Sequence, residues 1–147
     1  MCPLDIPDSL SDRLLLSTIQ PGVVIRLYDS DSKKEKRVII LGVDEESILA
    51  SYVRINSEIN INVFRTTDQI DCQYKISSDC NEFLDHDSYV DCTILCKCNI
   101  SDIVYYIKIR NEAILGEVKQ NDLDSIITLV VGAETSVPSQ LRKFGLL

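Results

Sequence analysis

Arg37-Val38-Ile39-Ile40-Leu41-Gly42-Val43-Asp44-Glu45-Glu46-Ser47-Ile48-Leu49-Ala50-Ser51-Tyr52-Val53-Arg54-Ile55 is the stretch whose reading decides the fold. Arg37 to Val43 is a nearly unbroken apolar, β-branched run, the pattern of a strand covered on both faces. Asp44 to Ser47 is a polar turn and Ile48 to Ile55 returns as a second strand, so the stretch reads as a β-hairpin. Alternation on the returning strand puts Leu49, Ser51, Val53 and Ile55 on one face, and Ile48, Ala50, Tyr52 and Arg54 on the other.

Upstream of the hairpin, Val23 to Tyr28 reads as a first strand, and Asp29 to Lys36 as a charged, breaker-rich loop expected to be mobile. That loop delivers Lys33, Lys34, Lys36 and Arg37 to the mouth of the hairpin. Before it, Asp8 to Ile19 has capping residues and apolar Leu10, Leu14 and Leu15, which predicts a short helix stopped by Pro21-Gly22. Downstream, Asn56 to Phe64 alternates, but its asparagines favour irregular backbone, so an extended segment is expected. Asp71 to Ile76 reads as a strand with Cys72, Tyr74 and Ile76 on one face. A polar corner from Phe83 to Tyr89 feeds another strand, with Val90, Cys92, Ile94 and Cys96 as its expected inward set. Several short strands at this spacing predict a small barrel or sandwich.

The last third changes character. Asn99 to Asp102 offers cap residues before Ile103 to Ile109, where Ile103, Tyr106 and Ile107 fit a helix and the β-branched content fits a strand. A helix is expected. Ile114 to Val118 reads as a short strand. Asn121 then caps a helix over Asp122 to Gly132, with Leu123, Ile126, Ile127, Val130 and Val131 as its apolar stripe and Asp122 and Asp124 near its positive end. A final short helix starts at Pro138 and closes at Gly145.

With 147 residues, no internal repeat and no linker, the chain reads as one domain, a barrel over about 21–118 followed by C-terminal helices over about 122–145. A net charge of -8 argues against a protein that coats nucleic acid electrostatically. The first residues lack the order of a secretory signal, and no apolar run approaches the roughly 20 residues of a membrane span. A soluble, cytoplasmic protein with no membrane partner and six reduced cysteines is expected.

Cys80, His86, Cys92, Cys96 and Cys98 are of zinc-ligand type, but there is no CxxC. On one strand Cys92 and Cys96 would be about 13 Å apart, too far to share an ion. Neither a metal nor a cofactor is expected. His86, the only histidine, lies between Asp85 and Asp87. It is a candidate general acid or base, the structural alternative being a corner whose side chains bond local backbone ahead of Tyr89. No nucleophile elbow, P-loop, GxGxxG or HExxH occurs.

Pro21 to Leu27, Lys36 to Leu41, Asp91-Cys92, Leu115-Gly116-Glu117-Val118 and the helix from Asp122 to Ile127 follow one another in an order that resembles the MazF/PemK family of toxin ribonucleases. The resemblance implies a mainly β (α+β) fold: a small SH3-like barrel with short peripheral helices and a C-terminal helix, assembled as a homodimer. It further implies metal-independent cleavage of single-stranded RNA in a toxin–antitoxin or defence system, with an antitoxin or other protein as partner. Arg37 and Ser51 occupy the positions of that family's arginine and hydroxyl residue. An arginine fork there would stabilise charge developing on the phosphate while the hydroxyl positions its oxygens. With His86 they form the candidate catalytic set, and Lys33, Lys34, Lys36 and Arg54 the candidate RNA contacts. The family's Arg-Pro step is Arg37-Val38 here. The alternative expectation is a non-catalytic barrel that binds a protein through the hairpin surface and the C-terminal helices.

Overall fold

In the computed structural model, which describes residues 16–147, the elements run β1 (Val23–Asp29), β2 (Lys34–Asp44), β3 (Leu49–Asn56), α1 (Thr67–Asp71), β4 (Gln73–Ile76), β5 (Ser88–Asn99), α2 (Ile100–Ile109), β6 (Ile114–Glu117), α3 (Gln120–Gly132) and α4 (Pro138–Lys143). The helix expected over Asp8 to Ile19 falls mostly outside the described residues, of which 16–18 are helical. The hairpin is β2 and β3, and both of its strands are buried through their middle, with Val38, Ile39 and Ile40 at 0% exposure.

Six strands pair antiparallel throughout in the order β4-β5-β3-β2-β1-β6. The fold is α+β, and the sheet is open: β4 and β6 are its outer strands and do not pair with each other. An apolar run such as Val38 to Leu41 presents side chains to both sides, so each side requires a cover. On one side Ile39, Leu41 and Val53 pack with Leu123, Ile126 and Val130 of α3 and Leu141 of α4. On the other, Val38, Ile40 and Tyr52 pack with Ile100, Ile103 and Ile107 of α2. Helices therefore flank the sheet on both sides, a layered arrangement rather than one closed interior.

The pattern on α3 is as read: Leu123, Ile126 and Val130 are buried, with Ile127 and Val131 partly covered beside them. The helix starts earlier than expected, with Lys119 rather than Asn121 at its N-cap. Residues 100–109 form a helix, not a strand. Past β3, residues 57–64 are irregular and turn at 61–63 rather than running extended as expected, and α1 follows with a Thr66/Gln69 capping box that periodicity in so short a piece does not reveal.

Two expectations fail. The inward set Val90, Cys92, Ile94 and Cys96 is split: Val90 and Cys92 join the α3 side, Cys96 joins the α2 side, and Ile94 is 49% exposed. Between the pairs Tyr52–Cys96 and Arg54–Asp91, β5 holds four residues, 92–95, against the single Val53 of β3. The surplus of three is odd, so it turns the strand over. The loop expected over Asp29 to Lys36 is also shorter, since only residues 30–33 lie between β1 and β2. Strand β2 resumes at Lys34, and the turn before it is tied to buried Asp29 by the Ser32 N–H (3.0 Å), the Ser32 hydroxyl (2.6 Å) and the Lys33 N–H (2.8 Å, to the Asp29 carbonyl).

Candidate functional site

Arg37 stands opposite Ile55 in the β2–β3 ladder, and Ser51 opposite Gly42. By alternation both belong to the face of Ile39 and Val53, the side covered by α3 and α4. They do not converge. Ser51 and Ile55 are four positions apart on β3, roughly 13 Å at the usual rise of a strand. Ser51 is wholly buried and donates its hydroxyl hydrogen to the Gly42 carbonyl at 3.1 Å. Just past α4, the chain presses onto this point, since a Cβ at Gly42 would run into the Phe144 carbonyl oxygen. With no exposed surface, the Ser51 hydroxyl is closed to a phosphate.

Arg37 is brought instead to the corner that holds His86. Its guanidinium lies 3.6 Å from the exposed Asp85 carboxylate. His86 is exposed, with Nδ1 3.0 Å from the Asp87 carbonyl, and Ser88 donates its hydroxyl to the His86 carbonyl at 3.1 Å. Asp87 accepts from the Ser78 N–H at 2.9 Å, which lowers its pKa and fixes the turn. The shallow hollow at this corner is lined by Glu58, Asp79, Asp85 and Asp87 around the one imidazole. Four carboxylates repel a phosphate, so the corner-forming role of His86 is the one its surroundings match.

The basic residues proposed for RNA belong to the opposite side of the sheet. Lys36 stands opposite Leu27 and Lys34 opposite Asp29, and by alternation both fall on the face of Val38 and Ile40. The Lys36 ammonium donates to Asn56 at 2.6 Å; burial, then repulsion from Lys34 and Arg54, lowers its pKa. Lys33 occupies the β1–β2 turn in a left-handed conformation, φ 56°. The ladders therefore separate Lys34, Lys36 and Arg54 from Arg37 and Ser51 by the thickness of the sheet.

Arg54 is not free for a ligand. Its Nε and one terminal nitrogen donate to Asp29 at 2.9 and 3.1 Å, and the same terminal nitrogen reaches Asp31 at 2.9 Å. The Tyr52 hydroxyl adds a bond to Asp29 at 2.8 Å. Burial of Asp29 works to raise its pKa, but bonds from Ser32, Arg54 and Tyr52 outweigh it and hold the carboxyl at about 2. This bidentate pair inside a ring of donors is a clasp that joins the end of β1 to β3.

Beside the clasp, between β1 and α2, opens a cleft of about 310 Å³ that sequence reasoning missed. Four of the six tyrosines in the chain line it: Tyr28, Tyr52, Tyr105 and Tyr106. Tyr28 and Tyr105 are 56% and 66% exposed, so both rings present apolar surface to solvent. Tyr106 is held from behind, its hydroxyl bonded to Glu35 and its ring 5.8 Å from the Arg110 guanidinium, which also pairs with Glu35 at 2.6 Å. One signal for the cleft is present in the sequence. Tyr105 follows buried Ile103 by two positions, so on an amphipathic helix it must point away from the core.

Among the described residues no group of three or more His, Cys, Asp or Glu side chains is placed to hold a metal ion, and the five described cysteines are free thiols. Burial raises the pKa of Cys92, Cys96 and Cys98, the latter two to about 11 and about 12, so none of the three is poised as a thiolate nucleophile. No helix among the described residues is long and apolar enough to cross a membrane. No protein-family model matches this chain, and no curated protein matches it significantly.

Proposed function

We propose that this chain is a non-catalytic protein-interaction module. The observation that carries the proposal is the placement of Ser51. The hydroxyl that would orient a phosphate is buried, engaged with the Gly42 carbonyl, and roughly 13 Å along the sheet from the arginine it would have to assist. Arg37 and His86 share a corner with four carboxylates. A ribonuclease reading would need Arg37 to act with His86 alone, against that acidic lining. Single-stranded RNA would also have to be gathered by Lys34 and Lys36 on one side of the sheet and processed on the other, by a chain of net charge -8. By contrast, the exposed tyrosines between β1 and α2 form the kind of aromatic surface on which protein partners dock.

The experiment that tests this reading is incubation of the purified protein and its Arg37→Ala variant with labelled single-stranded RNA in EDTA. Both are expected to leave the RNA intact over hours. Turnover by the wild type that is lost in Arg37→Ala, with the variant still folded by circular dichroism, would replace the interaction module with the ribonuclease.

A further inference from the structure

The tyrosine cleft has a chemical bias that narrows what it can hold. The Tyr28 and Tyr105 hydroxyls make no hydrogen bond among the described residues, and with Ser30 and the Lys97 ammonium they line the cleft with donors. Its one carboxylate among the described residues is Asp102, which is exposed. The floor is apolar, formed by buried Leu27 and Ile103. A ligand matched to these walls has flat apolar surface for the rings, unpaired acceptors for the hydroxyls, few donors left over and a cation for Asp102.

An extended proline-rich segment has those properties. In the polyproline II conformation every carbonyl is free to accept, no intrachain hydrogen bonds compete, and proline carries no N–H to strand against an aromatic wall. Such segments arrive already stiff, so little entropy is lost on docking, and aromatic-lined grooves are their usual receptors. A nucleic acid strand would also stack its bases on tyrosine, but its phosphates need clustered cations. Among the described residues Lys97 is the only cation that lines this cleft, and Asp102 opposes it. We infer that the cleft between β1 and α2 binds a proline-rich peptide in extended conformation, with Tyr28 and Tyr105 clamping proline rings and Asp102 pairing with a flanking arginine.

This inference rests on the interaction-module reading, and one titration tests it separately. A fluorescein-labelled decaproline peptide flanked by arginine is titrated into wild type, Tyr28→Ala, Tyr105→Ala, Tyr105→Phe and Asp102→Lys, with a glycine–serine peptide of the same length and charge and a labelled oligouridylate in parallel. The expected result is saturable binding of the proline peptide alone. Tyr28→Ala and Tyr105→Ala should each weaken it at least tenfold, and Tyr105→Phe and Asp102→Lys by less. Both tyrosines are exposed, so their alanine variants are expected to fold, which circular dichroism checks. Proline-peptide binding that is absent, or unchanged in both alanine variants, overturns the inference and leaves the module reading standing. Oligouridylate binding lost in Tyr105→Ala overturns it in favour of nucleic acid, whereas Arg37-dependent RNA cleavage strikes the module reading and not the cleft.

Discussion

Asp29 shows how a single carboxylate organises a neighbourhood. It is 1% exposed, and a buried carboxylate is tolerated only with its oxygens occupied. Ser32, Tyr52 and Arg54 occupy them. Because the folded pKa of about 2 lies below the ordinary 3.8, the clasp contributes stability that is complete above about pH 4 and is lost as pH falls through 2. Chemical denaturation followed at decreasing pH should show about 1–2 kcal/mol of acid-labile stability in wild type that is missing in Asp29→Asn. An unchanged acid limb in that variant would mean the clasp does not hold in solution. Gly42 makes a different demand, for space alone. Gly42→Ala is expected to destabilise by about 1–3 kcal/mol, because a methyl group there meets the Phe144 backbone carbonyl and not a side chain that can swing aside. A thermal melt coincident with wild type would place that carbonyl elsewhere.

At the scale of elements, α3 is attached to the sheet by Leu123, Ile126 and Val130. Leu123→Asp sets an unpaired charge in that layer and is expected to cost about 3–5 kcal/mol in urea denaturation. Wild-type stability in the variant would mean the stripe faces water. That stripe was legible in the sequence because five apolar residues recur at helical spacing, and the two faces of β3 were legible from strict alternation between Ala50 and Ile55. Strand β5 was not. Its three-residue surplus opposite Val53 reverses which residues point inward, and nothing in the local pattern of Thr93, Ile94 and Leu95 announces it. Asp29 to Lys36 misled for a related reason: its charges read as a solvated loop, yet the carboxylate of Asp29 is held down by two residues of β3, Tyr52 and Arg54, more than twenty positions away. Alternation assigned Ser51 to a face correctly, but it carries no information about what lies on that face. At Gly42, the residue opposite Ser51, the backbone that closes in is that of Phe144, near the far end of the chain.

Over the whole molecule, the open sheet follows from strands whose two sides are both apolar, each side taking its own helical cover. That architecture separates the surfaces the chain can present. Arg37 and the acidic His86 corner fall on one side, Lys34, Lys36 and the Asp29 clasp on the other, and the tyrosine cleft opens where α2 meets β1. Tyr28 and Tyr105 are 77 positions apart in the chain, so only the tertiary fold makes them neighbours at one cleft. Ser51 is sealed from solvent, and thiol accessibility in a Ser51→Cys variant measures that directly. Under native conditions the variant should release no more chromophore from a disulfide thiol reagent than wild type does, and one additional thiol should react only on denaturation. Immediate reaction of the introduced thiol in the folded protein would contradict the account, and would reopen this face of the sheet to a substrate.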